Sequence, residues 1–471
     1  MNSLPRLIAN TFALLLAELI QPLFSVILVI AISRYLGPTG LGQYSFIITY
    51  VAIFEPVAAF GLREIITREV AKDHTAADRY LPTAFLLGTL ATVLCGVVMS
   101  VVVWLLSYPQ EVLKAVYLMA LYVFCSTLKA YLFAFFQAIE RLKQTALISL
   151  GETVFRVAGS LLLLTLGGQV LGLISLLVAG RVLALLCALV MVRRVIGSIH
   201  YKIDLSLAKS LFPQAATFCA TSLVFILYWR VDLLMLTQMS GLAVAGYYAA
   251  SAVAGYYAAS YRIFDVCTFL FNSYISAYYP QQARAYATSL TEFESSATKS
   301  VKFLSIVALP LAMGFTLVAD QIIILLYGKT FEGSILTLKI LIWSIVPFAI
   351  VRVYSVCLVS SLHQSFDFAS NLLVLLVNVG LNLFLIPRWG AVGASIATLA
   401  SLCIFVVIEH FFILRRLFHV PLLALLWKPL VSTAIMGVVV FPFRAMGLYS
   451  LLPLAAVIYG AALLSLRPFS S

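Results

Sequence analysis

A chain of 471 residues that is 63% hydrophobic, only 10% charged and formally +12 carries more apolar surface than one water-solvated core can hide. With a mean hydropathy of +1.08, its solvent is lipid and a water-soluble fold is excluded. The surplus of Lys and Arg therefore reads as membrane topology and attraction to anionic headgroups, not as nucleic-acid binding.

A helix crosses a hydrocarbon core of about 30 Å with roughly 20 mainly apolar residues. Spans of that kind are predicted at Leu7 to Ser33, Leu41 to Ile66, Leu81 to Leu106, Val112 to Ala138, Gln144 to Leu166, Gln169 to Val192 and Leu211 to Met239. They continue at Leu242 to Tyr279, Val301 to Tyr327, Ile335 to Leu362, Phe366 to Ile386, Ala391 to Leu414, Trp427 to Met446 and Leu448 to Leu466. Loops between them are too short for a soluble catalytic domain, so any activity lies inside the bilayer. Arg6 is followed by a full-length span without a small-residue cleavage pattern, so the first segment is expected to stay in place.

With the N-terminus inside, the inner loops and termini collect most of the Lys and Arg, among them Arg68, Lys72, Arg79, Arg193, Arg194, Arg415 and Arg416. The outer side keeps Arg34, Lys114, Lys329, Arg388 and Arg444. This asymmetry predicts a multi-pass protein of the inner (plasma) membrane with both termini in the cytoplasm. All seven cysteines fall within spans without paired spacing, and the five histidines scatter near span ends. Neither set predicts disulfides, a metal site or any cofactor.

The turns Leu36-Gly37-Pro38-Thr39-Gly40 and Ser240-Gly241-Leu242 to Gly246 each put glycines before an aromatic at the head of a span, one at the start of each block of six. The predicted fold is an all-α integral membrane protein of about fourteen transmembrane helices: two pseudo-symmetric six-helix lobes plus two C-terminal helices. The expected divisions are 1–200, 201–420 and 421–471. Three segments carry a family resemblance: Arg34-Tyr35-Leu36-Gly37-Pro38 through Tyr44-Ser45; Leu326-Tyr327-Gly328-Lys329 with Phe331; and Asn382-Leu383-Phe384-Leu385-Ile386-Pro387 through Gly390 to Thr398. In these the sequence resembles the polysaccharide-transport branch of the multidrug/oligosaccharidyl-lipid/polysaccharide exporter superfamily, the Wzx-type O-antigen flippases. Each segment also has a structural reading, since small residues at Gly390, Gly393 and Ala397 let helices approach closely in lipid.

Charges that topology does not explain are the candidates for function, because an ionisable group at mid-membrane costs on the order of 3 kcal/mol. Eight cations qualify: Arg63, Lys129, Arg156, Arg181, Arg230, Arg262, Lys339 and Arg352; the acids are Glu18, Glu55, Glu152, Asp232 and Asp265, with Asp320 and Glu409 nearer span ends. Glu152 with Arg156, and Arg262 with Asp265, can each pair along one helix face as structural glue or serve function. Lys129 has no acid on its own span, and Arg230 and Asp232 cannot share a face. A basic cavity of Lys129, Arg156, Arg181, Arg230, Arg262 and Arg352 suits phosphate or carboxylate. Tyrosines and Trp229 in the same spans either stack on sugar rings or serve as core and belt aromatics. Glu18, Glu55 and Asp232 are candidates for an ion-coupling carboxylate, with a structural role as the alternative.

The resemblance implies an undecaprenyl-pyrophosphate-linked oligosaccharide as substrate, moved by alternating access between membrane leaflets, with membrane lipids, a polysaccharide polymerase and a chain-length regulator as partners. Without a Gly-x-x-x-x-Gly-Lys motif, energy is expected from an ion gradient or from glycan removal outside. Alternatives are a multidrug antiporter of the same superfamily, a flippase for another lipid-linked precursor, and a polymerase or ligase; the excess of basic groups counts against the first and the absence of a large loop against the last. Residues Ala243 to Ser251 read AVAGYYAAS and Ala252 to Ser260 repeat them unchanged. Nine residues turn a helix by about 900°, so the copies face opposite sides; the second is expected to keep the family spacing to Arg262, with a replication slip lacking functional meaning as the other reading.

Overall fold

The computed structural model describes the backbone of residues 3–196, 203–239, 244–444 and 446–466, and the side chains of these except 3–20, 74, 195–196, 214, 217 and 244–246. Among the described residues there are fourteen α-helices. They are α1 (Ser3–Ala59), α2 (Leu62–Lys72), α3 (Ala77–Leu105), α4 (Gln110–Ala138), α5 (Leu142–Thr165), α6 (Val170–Ile196), α7 (Leu205–Met239), α8 (Val244–Thr288), α9 (Leu290–Tyr327), α10 (Gly333–Leu341), α11 (Ile345–Ser360), α12 (Gln364–Arg416), α13 (Leu422–Val440) and α14 (Leu448–Ser465). Eleven described stretches are long and apolar enough to cross a membrane. Helices suit this solvent because each satisfies its own backbone hydrogen bonds where water is absent.

The expected spans map onto these helices with instructive departures. α1 and α12 each hold two spans, run together across a break at Gly37 (φ 65°) and at Gly390 (φ 52°) respectively. The tenth span is α10 and α11 joined through a 3₁₀ turn at Ile342–Ser344. The second span ends early, at Ala59, because Phe60 (φ 48°) and Gly61 (φ 60°) both take left-handed backbone. Gly61 also has no room for a side chain, since a Cβ there would lie 2.5 Å from Phe218 Cβ. Beyond it α2 is amphipathic, with Leu62, Ile65, Ile66 and Val70 buried and Arg63, Glu64 and Arg68 exposed. Arg63 is therefore not an intramembrane cation, as its place in an apolar run suggested.

The chain divides into two compact units, one of Met1–Arg230 with Gly241–Ser251 and one of Val231–Ser240 with Ala252–Ser471. In the first, α4 packs on α3 and α6 while α1 packs on α5. Tyr131, Leu132, Phe135 and Phe136 of α4 sit at the centre of its apolar core. In the second, α11 packs on α12 and α9, and α13 and α14 pack on each other and on α9. The break at Gly390 folds α12 back tightly: a Cβ on Gly393 would stand 2.3 Å from the Leu385 carbonyl oxygen.

From Val244 onward the two copies of the repeated nonapeptide lie on one continuous helix, α8, but in different units. Tyr248 of the first copy is 42% exposed, whereas its counterpart Tyr257 is 2% exposed, as half-turn displacement demands. The second copy is the one seated on the motif segments: Tyr256 meets Phe331 edge-on, the Tyr327 hydroxyl donates to Ala259 O, and the Ser260 hydroxyl donates to Ser334 O.

Outside the spans, Asp204 caps α7 by accepting from Leu207 N–H at 2.9 Å and pairs with Arg79. These partners, the Leu207 N–H first, hold its carboxyl below the ordinary value of 3.8. A carboxylate favoured in the folded state stabilises above its unfolded pKa and ceases to do so as pH falls through its folded value. Asp204→Ala is expected to lower the melting temperature in detergent near neutral pH, with the difference from wild type shrinking below about pH 4. Gly393→Ala is expected to cost about 2 kcal/mol by overpacking. Gly380→Ala, where the added methyl meets nothing, should be neutral or slightly stabilising in the same melts.

Candidate functional site

In the first unit α4, α5 and α6 bring three of the predicted cations together with Glu152 of α5 and Glu55 of α1. Lys129 on α4 donates to Glu152 Oε2 at 2.6 Å, with its side chain only 8% exposed. Arg181 on α6 pairs with the other oxygen, Glu152 Oε1, at 3.1 Å and donates to the Tyr122 hydroxyl, its guanidinium 4.5 Å above the Tyr122 ring. Glu55 accepts from Ser126 at 3.0 Å and lies near enough to act electrostatically on Tyr122, Lys129 and Arg181. Arg156 acts on Tyr122 in turn, and its buried Nε has no hydrogen-bond acceptor among the described residues. Three cations against two carboxylates leave the cluster with one positive charge in excess.

This geometry corrects two expectations. Lys129 is not unpaired: its acid comes from the neighbouring helix, within reach of a four-carbon stem. Among the described residues Glu152 pairs with Lys129 and Arg181, not with Arg156 one turn along its own helix. The physical reason is the solvent: a carboxylate facing lipid gains nothing from water, whereas one turned inward receives two charge-assisted partners.

Asp232 on α7, in the second unit, is 3% exposed and ringed by neutral donors. Tyr257 OH (2.8 Å) and Thr398 Oγ1 (2.7 Å) donate to Oδ2, and Asn382 Nδ2 (2.6 Å) to Oδ1. Asn382 Nδ2 also reaches Asn378 Oδ1 at 2.9 Å, and Asn378 Nδ2 reaches the Ser401 hydroxyl. With both amides so oriented, Asn382 Oδ1 is buried without a partner beside the carboxylate. The carboxylate is thus surrounded by hydroxyl and amide groups; turning these donors would expose oxygens of the kind that bind a hard cation, and a proton on the carboxyl needs no such change. Asn382 and Thr398 belong to the segment with the strongest family resemblance and Tyr257 to the second nonapeptide copy, roles that no local pattern signals.

Arg230 is half-buried on α7 in the first unit. Arg262 on α8 pairs with Asp265 at 3.8 Å, the intrahelical contact its spacing suggested. Arg352 on α11 acts on two acids of α12, Asp367 and Glu409, rather than standing free, and Asp367 was missed because it sits at the head of a span. The Glu18 side chain lies outside the described residues.

The profile of the family described as "Polysaccharide biosynthesis protein" matches residues 7–286. Among solved structures, the chain is similar to the lipid II flippase MurJ in its inward closed conformation, at 12% identity and a TM-score of 0.76, over 95% of this chain and 97% of that one. It is also similar to an inward-facing multidrug resistance MATE family transporter of the MOP superfamily, at 14% identity and a TM-score of 0.69, over 84% and 94%. A third is a MOP superfamily transporter from Pyrococcus furiosus whose binding pocket is described as reversed in polarity, at 14% identity and a TM-score of 0.58, over 88% and 94%. None of the curated proteins matches the chain in sequence. The shared fold is that of these multi-pass transporters.

Removing one partner of a buried ion pair costs about 3 kcal/mol or more, because the other charge stays desolvated. Glu152→Gln, which strands Lys129 and Arg181 together, is expected to lower the melting temperature markedly. Adding Lys129→Met should restore part of the loss, and strictly additive losses in this cycle would show that the pair carries no coupling.

Proposed function

We propose that this chain, which belongs to the polysaccharide biosynthesis protein family, is a flippase for an undecaprenyl-pyrophosphate-linked oligosaccharide, an O-antigen or exopolysaccharide repeat unit. It carries that unit from the cytoplasmic to the outer leaflet of the inner membrane by alternating access, while the prenyl tail stays in lipid. The observation that carries this reading is the excess positive charge of Lys129, Arg156 and Arg181, with the Arg156 Nε still lacking an acceptor among the described residues. Pyrophosphate oxygens supply what such a group lacks, through charge-assisted hydrogen bonds and the bidentate fork of arginine. Arg230, of the same unit, is a secondary contact in this proposal. Arg352 is withdrawn from the anion site, because two nearby carboxyls offset its charge.

Asp232 is the proposed coupling carboxylate, binding a proton or a hard monovalent cation, and Glu55 is the carboxylate that adjusts the charge of the basic cluster. A second reading, a flippase for another lipid-linked cell-wall precursor, draws support from the fold shared with the lipid II flippase, since both substrates present a prenyl pyrophosphate. A drug antiporter is disfavoured, because organic cations call for an acidic chamber.

The decisive experiment is complementation of a strain lacking its O-antigen or exopolysaccharide flippase, scored by surface polymer. Losing one charge-assisted hydrogen bond costs about 2 kcal/mol, which is roughly thirtyfold in affinity. Arg156→Ala and Arg181→Ala are each expected to reduce surface polymer strongly while the protein inserts normally, and undiminished polymer from both would end the substrate assignment. In vesicles, Asp232→Asn is expected to abolish the dependence of flux on the pH or sodium gradient. Complementation of a lipid II flippase defect instead of the polysaccharide defect would decide for the second reading.

A further inference from the structure

Two acids outside the sites described so far meet at the end of the second unit where α11 turns into α12. Asp367 lies in the first turn of α12 and Glu409 near its far end, and the fold-back at Gly390 returns one to the other. Phe366 stacks on Phe412 at 3.8 Å and the His363 ring stands 5.5 Å from Phe412, so the head of α12 lies against the turn that carries Glu409; the two acids act on each other electrostatically, and the Ser355 hydroxyl of α11 donates to Glu409 Oε1 at 3.4 Å. Glu409 has no exposed surface, whereas Asp367 is half-buried, one turn beyond His363 and the exposed Leu362 of the connecting turn. One oxygen of each acid, Asp367 Oδ1 and Glu409 Oε2, is buried without any donor among the described residues.

Two ionised carboxylates cannot share a dry contact, since each is an acceptor only and their charges repel at low dielectric. A single proton resolves both defects: taken from water onto one oxygen, it makes an O–H that donates to the other acid. Arg352, which acts on both acids and whose Nε is also buried without an acceptor, balances the one charge that remains. The same arginine makes the spot unfavourable for a metal cation. The other titratable groups facing the pair are Tyr354 and Cys357 of α11 and His410 of α12, with Tyr278 of α8 behind Cys357. Lys302 of α9 and Lys339 of α10 are not among the groups acting on the pair.

We propose that Asp367 and Glu409 form a proton-binding site, holding one exchangeable proton between their carboxyls, with half-buried Asp367 as its entry from water and sealed Glu409 as its inner end. The site is separate from Asp232 and does not depend on what the protein transports, although in the proposed orientation it opens to the cytoplasm.

The test is infrared difference spectroscopy of purified full-length protein between acidic and alkaline buffers, with no substrate added, in an Asp232→Asn background that silences that carboxyl. The expected result is a carbonyl band of a protonated carboxylic acid that disappears as the pH is raised. It should be lost in both D367N and E409Q and retained when the exposed Glu332 is changed to Gln. Arg352→Gln removes the balancing charge, so the band should grow as the pair takes up a second proton. Should E409Q not fold, D367N at the half-buried position gives the same reading. Absence of the band at every pH, or its survival in D367N, overturns the proposal. Either result leaves the transport reading standing, since no step of the measurement involves flux.

Discussion

In hydrocarbon a charge has no water to fall back on, and this one constraint organises the polar interior of the protein. Several of the described buried ionisable groups have been drawn toward another helix. Lys129 and Arg181 converge on the two oxygens of Glu152, Asp232 gathers donors from α8 and α12, and Arg352 faces the acids of α12. These contacts tie together segments far apart in the chain, which apolar packing alone would not specify, because lipid tails are as apolar as leucine. The polar residues therefore act as registry marks for the helices as well as candidates for chemistry.

What the sequence revealed follows from the range of each interaction. Most spans were legible because length and hydropathy are local quantities, although α8 is not among the eleven described stretches apolar enough to cross, and the breaks at Gly37 and Gly390 were legible because Pro38 follows the first and Pro387 lies three residues before the second. The end of the second span was not, since the left-handed residues Phe60 and Gly61 interrupt an apolar run that continues into an amphipathic helix. Pairing was legible only where it was local: Arg262 with Asp265 was visible from spacing, whereas Lys129 with Glu152 was not. Asn382 and Asp232 are 150 residues apart, and a single sequence carries no signal that they meet.

The repeated nonapeptide makes the same point under unusual control. Two identical segments, each with the same tyrosine pair, reach opposite outcomes on one helix: Tyr248 is exposed, and Tyr257 is buried with its hydroxyl on Asp232. Propensity and composition are equal by construction, so the difference is set by helical phase and by what lies opposite. The second copy meets the aromatic clamp of Tyr327 and Phe331 and the carboxylate of α7. The first meets Tyr108, whose ring stands 5.6 Å from that of Tyr247.

The charge is also unevenly distributed between the units, and this bears on energy coupling. The cluster of the first unit is net positive, while Asp232 in the second has only neutral partners around it, so an ionised carboxylate there stands uncompensated. An anionic head group relieves the first imbalance, and a proton or cation relieves the second. In the proposed function the basic cluster is compensated by an anionic substrate and Asp232 by a proton or a cation. A ligand shifts a conformational equilibrium only through its differential affinity for the competing states. Buried groups whose charge is compensated only when a ligand is bound supply such a difference, because the cost of an uncompensated charge depends strongly on how wet its surroundings are. In that proposal, an anionic load at the one site and a cationic load at the other give the chain the means to answer to both.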